Sequence, residues 1–323
     1  MMYAKTRPAI IAAFAVIYVI WGSTYLAVAV ALQTIPPFLL MGSRSIAGGC
    51  LLLAAAWASR QWIGVSSSMR AAACGVLFFV GCHGTLAYAQ QHVPSALAAI
   101  LLATIPFWIV LIGVVFPGRE RPSLRQLGLL VPGLGGVALI VLWHTDGVRA
   151  AGYADLVLLL AAALSWAAGT ILSERWSPPD CAVAFSGMEL MAGGMVLIII
   201  SAAFGELTSF NPQAVSAAAL GGWAYLTIAG TVIGFATYIW LLKRVSPTLV
   251  ATYTFVNPII AVLLGWLVLG ERMNGGMALG SVLVIVSVAG LLAGRRNKPR
   301  PDERRSGASA HSGLPQSTRR ATG

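Results

Sequence analysis

Three ionisable side chains stand deep inside long apolar stretches of this chain: Arg44, His83 and Glu189. Such a group in hydrocarbon costs about 2.5–3.5 kcal/mol on insertion scales, so it normally faces the interior of a helix bundle and has a partner there. An arginine can only donate, and suits a carboxylate or another electron-rich group. A glutamate accepts from an amino group or takes up a proton. Arg44 and Glu189 also occupy matched places. The stretch Arg44-Ser-Ile-Ala-Gly-Gly49 is echoed by Glu189-Leu-Met-Ala-Gly-Gly194, 145 residues later. His83, between Cys82 and Gly84, is either a hydrogen-bonded packing residue or a proton carrier.

The elements that must hold these groups are membrane spans. Apolar residues make up 58% of the chain and charged residues 10%, well below the roughly 25% charge of a soluble domain. Ten apolar runs are long enough for a hydrocarbon core of about 30 Å: 8–31, 36–58, 69–90, 94–116, 125–142, 152–172, 182–203, 216–241, 247–270 and 275–293. All are expected to be helices, because a helix satisfies its own backbone in lipid. The fold class is an all-α integral membrane protein. The first run, preceded by Lys5 and Arg7, is too long for a signal peptide and is expected to be retained.

The chain reads twice. Trp21 and Trp166 share the 145-residue offset, and Val93 to Pro106 answers Val245 to Pro258 at an offset of 152. An odd number of spans separates the copies, so they must lie inverted in the bilayer, as in carriers that expose one site to either side in turn. The units are 1–146, 147–294 and a basic tail, 295–323. The tail has eight Lys/Arg against two Asp/Glu and little apolar content, so it is expected to be disordered. It also supplies over half of the net charge of +11, which is therefore no sign of nucleic-acid binding.

Lys5, Arg7, Arg60, Arg70, Arg119, Arg121, Arg125, Arg175, Lys243, Arg244 and the tail fall on one side. Only Arg149 and Arg272 fall on the other. The positive-inside rule then places both termini in the cytoplasm. In that frame Arg44 lies outside its span's midpoint and Glu189 inside its own, a depth difference of about 9 Å at 1.5 Å per residue. The spacing suits a direct pair locking the halves, or a substrate, water or proton between them.

Aromatic and helix-breaking residues extend the list of site candidates. Trp21 and Trp166 lie deeper than an interfacial belt and are matched by the repeat, so they can line a cavity. Ser23 and Tyr25 share a segment with Trp21, and Tyr88 and Tyr253 lie in others. Trp108 and Trp240 read as packing or belt residues. Pro106 and Pro258 are equivalent and interrupt spans, Pro132 interrupts another, and Asn257 adds a polar side chain. Broken helices near the midplane form sites or gates in transporters. The pairs Gly230/Gly234, Gly276/Gly280 and Gly290/Gly294 favour close helix packing within one chain over a dimer seam. Cys50, Cys74, Cys82 and Cys181 lack metal spacing and read as packing residues.

The run from Asn257-Pro258 to Gly270-Glu271-Arg272 resembles the end of the ninth helix in EamA-type transporters of the drug/metabolite transporter superfamily. Ile105-Pro106 through Gly118-Arg119-Glu120-Arg121 is its counterpart in the first copy, and Trp21-Gly22-Ser23 and Arg44 sit where that family marks its first two helices. The resemblance covers roughly residues 10–293. It implies two five-helix halves and transport, commonly export, of small metabolites.

No zinc-hydrolase, hydrolase-elbow or nucleotide-loop motif is present, which argues against an enzyme or an ATP-driven pump. A channel filter would need a ring of like groups, and the chain offers a two-fold repeat instead. No cofactor or metal is expected. The expected partners are the lipid bilayer, a small-molecule substrate and protons, with the chain a monomer or weak homodimer. A cysteine introduced near Gly147 or Glu206 should react with an impermeant thiol reagent on intact cells, and one near Ser66 or Pro122 should not. The reverse pattern would overturn both the orientation and the inverted repeat.

Overall fold

The computed structural model describes residues 2–115, 124–142, 152–178, 181–242, 244–245, 253–270 and 275–293. Arg119, Arg121, Arg149, Lys243, Arg272 and the 295–323 tail lie outside the described residues.

The described residues form helices joined by short connections, with no strand among them. Helix α1 is Met2–Ala31, α2 Pro37–Ala58 and α3 Val65–Ala89. Helix α4 has two pieces, Ser95–Leu102 and Ile105–Val115, and α5 is Leu124–Leu142. Tyr153–Trp176 is α6 and Ala182–Ala203 is α7. Helix α8 starts as Ala217–Tyr225, continues through Leu226–Ile233 and ends as Gly234–Leu242. Tyr253–Leu269 is α9 and Gly275–Ala293 is α10. Seven of these stretches are long and apolar enough to cross a membrane. Shorter apolar helices, Val256–Leu269 and Ala278–Ser287, accompany them.

Polarity is arranged for lipid. Ile11, Leu51, Ile199 and Leu263 expose half or more of their surface, whereas Arg44, Glu189 and Asn257 are buried. A soluble protein does the opposite. Lipid tails are as apolar as leucine, so helices associate through close packing and hydrogen bonds.

The most extensive such contact is the crossing of α2 and α7. A Cβ added to Gly42 would lie 3.2 Å from the Gly194 carbonyl, and one on Gly194 would lie 3.0 Å from the Gly42 carbonyl. One added to Gly49 would meet the Gly187 carbonyl at 3.2 Å, and one on Gly187 the Leu53 amide at 3.2 Å. Gly42 and Gly187 share the 145-residue offset, as do Gly49 and Gly194, so each contact is the other's counterpart. Helices α5 and α10 make a second close crossing, where a Cβ on Gly136 would be 2.6 Å from the Gly280 carbonyl. There the Ser287 hydroxyl donates to the Leu129 carbonyl, in the turn before Pro132. Pro132 lacks the N–H that would bond the Gly128 carbonyl, yet the helix Leu124–Leu142 runs on through it, so the expected interruption there is absent. Gly230, Gly234, Gly280 and Gly290 all meet neighbours within the chain, at Thr24, Trp21, Gly136 and Leu129.

The two matched prolines behave differently. Helix α4 stops after Leu102 and restarts at Ile105, with Pro106 in the new first turn, where a missing N–H costs nothing. The expected interruption at Pro258 is not there. That residue lies inside the continuous helix Tyr253–Leu269. Two wider turns do occur. Val76–Gly84 in α3 and Leu226–Ile233 in α8 are π-helical, and each is the third helix of its copy.

At the end of α2, Gln61 donates its amide to the Ala56 carbonyl, and Arg60 takes a left-handed conformation with φ 54. This is the cap geometry that glycine adopts without strain. Arg60→Gly should therefore stabilise the protein by about 1 kcal/mol, read as a raised melting temperature in detergent. Arg60→Ala should give no such gain.

Candidate functional site

A central cavity of about 460 Å³ lies between the helices, within the usual size range of small-molecule sites. Its walls come from both copies. Trp21, Tyr25, Arg44 and His83 arrive on α1, α2 and α3, and Trp166, Glu189, Tyr253 and Asn257 on α6, α7 and α9.

Arg44 is 5% exposed, and its Nη2 donates to His83 Nδ1 at 3.2 Å. A guanidinium has no acceptor, so Nδ1 must be the accepting nitrogen and the ring carries its proton on Nε2. Arg44 Nε is buried with no partner. Glu189 is 2% exposed and accepts from the Ser173 hydroxyl at 2.7 Å. No ion pair within 4.0 Å joins Arg44 to Glu189 among the described residues. Each charge is held by a neighbour of its own. Asn257 Oδ1 is also buried and unpartnered. Buried polar atoms are nearly always satisfied, so two orphans in one cavity wall need a reason.

The matched tryptophans make reciprocal contacts across the copies. Trp21 donates from Nε1 to the Gly230 carbonyl at 3.0 Å, in the π-helical turn of α8. Trp166 packs on Phe78, in the π-helical turn of α3, with ring centroids 4.8 Å apart, and on His83 at 5.2 Å. Phe78 and Gly230 share the 152-residue offset. Tyr253 and Tyr238 flank Trp21 at 4.7 and 5.3 Å. The walls are thus mainly aromatic, with charge confined to a few points.

Four sequence candidates lie elsewhere. The Ser23 hydroxyl is hydrogen-bonded to Tyr225 at 2.6 Å and to carbonyls of its own helix, tying α1 to α8. Tyr88 stacks on Phe38 at 5.8 Å, at one end of the bundle. Pro106 and Pro258 shape α4 and α9 without lining the cavity. Sequence reasoning missed Ser173 and Glu174, which line the cavity because α6 runs four residues beyond the expected span. It also missed Phe78, Phe79 and Thr231, since no residue type marks a π turn.

The cavity reaches Ser177, Pro178 and Ala182, between α6 and α7. Cys181 Sγ donates to the Trp62 carbonyl at 3.3 Å, so Trp62 and Cys181 share this end of the bundle. At the opposite end the Ser216 amide donates to Thr34 Oγ1 at 3.2 Å, and His92 lies 3.6 Å from Asp155.

An apolar helical bundle enclosing an aromatic cavity with isolated charges is the build of a multi-pass membrane transporter. The chain belongs to the EamA-like transporter family, whose model matches it twice, over residues 8–142 and 154–293. It is 31% identical to the uncharacterized inner membrane transporter YedA of Escherichia coli K12, over 88% of this chain and 92% of that protein. Protein PecM of Dickeya dadantii is 27% identical, over 88% and 94% of the two chains. One crystal structure superposes with a TM-score of 0.61 at 21% identity, covering 89% of this chain and 99% of the other.

Gly75 shows how tightly Glu189 is placed. A Cβ there would lie 2.1 Å from the Glu189 carbonyl, so α3 and α7 touch backbone to backbone. Gly75→Ala should displace Glu189 and destabilise the protein by about 1–3 kcal/mol. Gly64→Ala, where a Cβ meets nothing within 4 Å, should leave the melting temperature and transport unchanged.

Proposed function

We propose that this chain is a secondary exporter that moves a small amphipathic solute across the cytoplasmic membrane by alternating access. Its ten spans form two inverted five-helix halves, 1–146 and 147–294, with both termini cytoplasmic and the 295–323 tail dispensable. The reciprocal glycine contacts of α2 and α7 support the inverted repeat, as does the double family match. A two-fold axis requires each contact to have its counterpart. In this orientation the cavity opens toward the cytoplasm, past Ser177 and Pro178.

One observation carries the reading. Arg44 and Glu189 hold equivalent places in the two copies, line one cavity and do not pair with each other. Arg44 receives a carboxylate or another electron-rich group of the solute. Glu189 receives its amino group or a coupling proton, and Trp21 and Trp166 hold its apolar body. The orphan Nε of Arg44 and Oδ1 of Asn257 are satisfied when the solute arrives. A facilitator without proton coupling differs only at Glu189.

Reconstituted protein and labelled solutes, with and without a pH gradient, test this. The double variant Arg44→Met with Glu189→Met removes both charges together. Arg44 and Glu189 each rest on a neutral neighbour of their own, so removing both leaves no unpaired charge buried in the wall. The double variant should therefore fold and fail to transport. Glu189→Gln alone should flatten the pH dependence of transport. Near-normal transport by the folded double variant would rule the reading out.

A further inference from the structure

The bundle end opposite the cavity mouth is fastened by a carboxylate that no sequence motif announced. Helix α2 begins at Pro37, after Pro36, and receives no capping bond from a side chain of its own start. The acceptor comes from the other copy. Glu206 Oε1 accepts from the Phe38 amide at 3.3 Å, and Oε2 accepts from the Leu39 amide at 2.9 Å and the Ser201 hydroxyl at 2.8 Å. A negative charge at a helix N-terminus is favourable, because the first amides point out of the helix and lack partners. Gly205, at φ 74, turns the chain after α7 so that Glu206 reaches back across α2. A side chain other than glycine would be strained there. Around this bond Phe38 lies against Phe204, 5.3 Å away, and Tyr88, 5.8 Å away, closing the end with three rings.

We propose that Glu206 is the latch of the outer gate. It holds the outer end of α2 against the α7–α8 connection while the cavity faces the cytoplasm, and it must release α2 before the cavity opens outward. The latch joins the first copy to the second, so it breaks when the halves rock apart at this end. Release exposes two backbone amides to water, which rehydrates them at small cost. The latch is therefore reversible in a way that a buried ion pair is not. Helix α2 also carries Arg44, so the latch and the solute act on one rigid element. This inference rests on the alternating-access reading and on the orientation given above.

The test uses the full chain with Cys50, Cys74, Cys82 and Cys181 replaced and a reporter cysteine at the cavity position Thr24. An impermeant maleimide is applied to intact cells and to inverted vesicles. With Glu206 present, the reporter should react from the cytoplasmic face and slowly from outside. Glu206→Ala should raise the outside rate about tenfold, the scale expected for charge-assisted bonds, and Glu206→Asp should restore most of the slow rate. Ser201→Ala, which loses one of the three bonds, should give a smaller rise in the same direction. A residue serving only stability would lower the melting temperature without changing which face reacts. An unchanged outside rate in Glu206→Ala at normal membrane levels overturns the latch. Should Glu206→Ala fail to reach the membrane, an unchanged rate in Ser201→Ala overturns it. Equal labelling from both faces with Glu206 intact overturns alternating access, and the latch with it.

Discussion

The glycine-lined crossing of α2 and α7 is the constraint on which the site depends. Between lipid-exposed helices there is no hydrophobic force, so attraction comes from contact alone, and contact requires small residues. Gly42, Gly49, Gly187 and Gly194 let α2 and α7 meet carbonyl against Cα. That crossing fixes the rotation of both helices. Arg44 follows Gly42 by two residues and Glu189 follows Gly187 by two, so the register that joins the helices also turns both charges into one cavity. Gly75 and Gly193 add α3 to the same stack. A larger residue at any of these places would move a charge, because packed interiors transmit displacement.

Confining the charges has a direct chemical result. Arg44 leans on His83 and Glu189 on Ser173, leaving some of the hydrogen-bonding capacity of the wall unused. A permanent Arg44–Glu189 pair would have consumed that capacity and served only to hold the halves. Aromatic faces on Trp21, Trp166 and Tyr253 supply area without further polar demand.

Much of this could be read from residues alone, for physical reasons. Hydrocarbon admits only helices and closed barrels, and without barrel alternation apolar length finds the helical spans. The cost of buried charge marks Arg44, His83 and Glu189, and duplication pairs Trp21 with Trp166. Other features have no residue signature. The π-helical turns Val76–Gly84 and Leu226–Ile233 are changes of backbone register that ordinary apolar residues accommodate. They bring Phe78 and Gly230 against the two tryptophans. Ser23 and Tyr88 carry the same chemistry as cavity residues and yet point to Tyr225 and Phe38, because rotation about a helix axis is set by neighbours. Glu206 sits in a connection, where sequence gives no hint of which helix end it will cap.

The unequal prolines have a consequence of their own. A carrier made of two identical inverted copies would have inward- and outward-facing states of equal free energy, since each is the other turned over. Such a machine has no preferred resting posture. Here α4 is broken ahead of Pro106, while α9 runs unbroken through Pro258. On the proposed reading of inverted halves, the two copies then differ in backbone shape, and the mirror states are no longer degenerate. On that reading, the bias of the empty carrier lies in the positions where the copies differ. Exchanging local sequence between the copies is thus a means of inverting that bias while leaving the cavity itself intact.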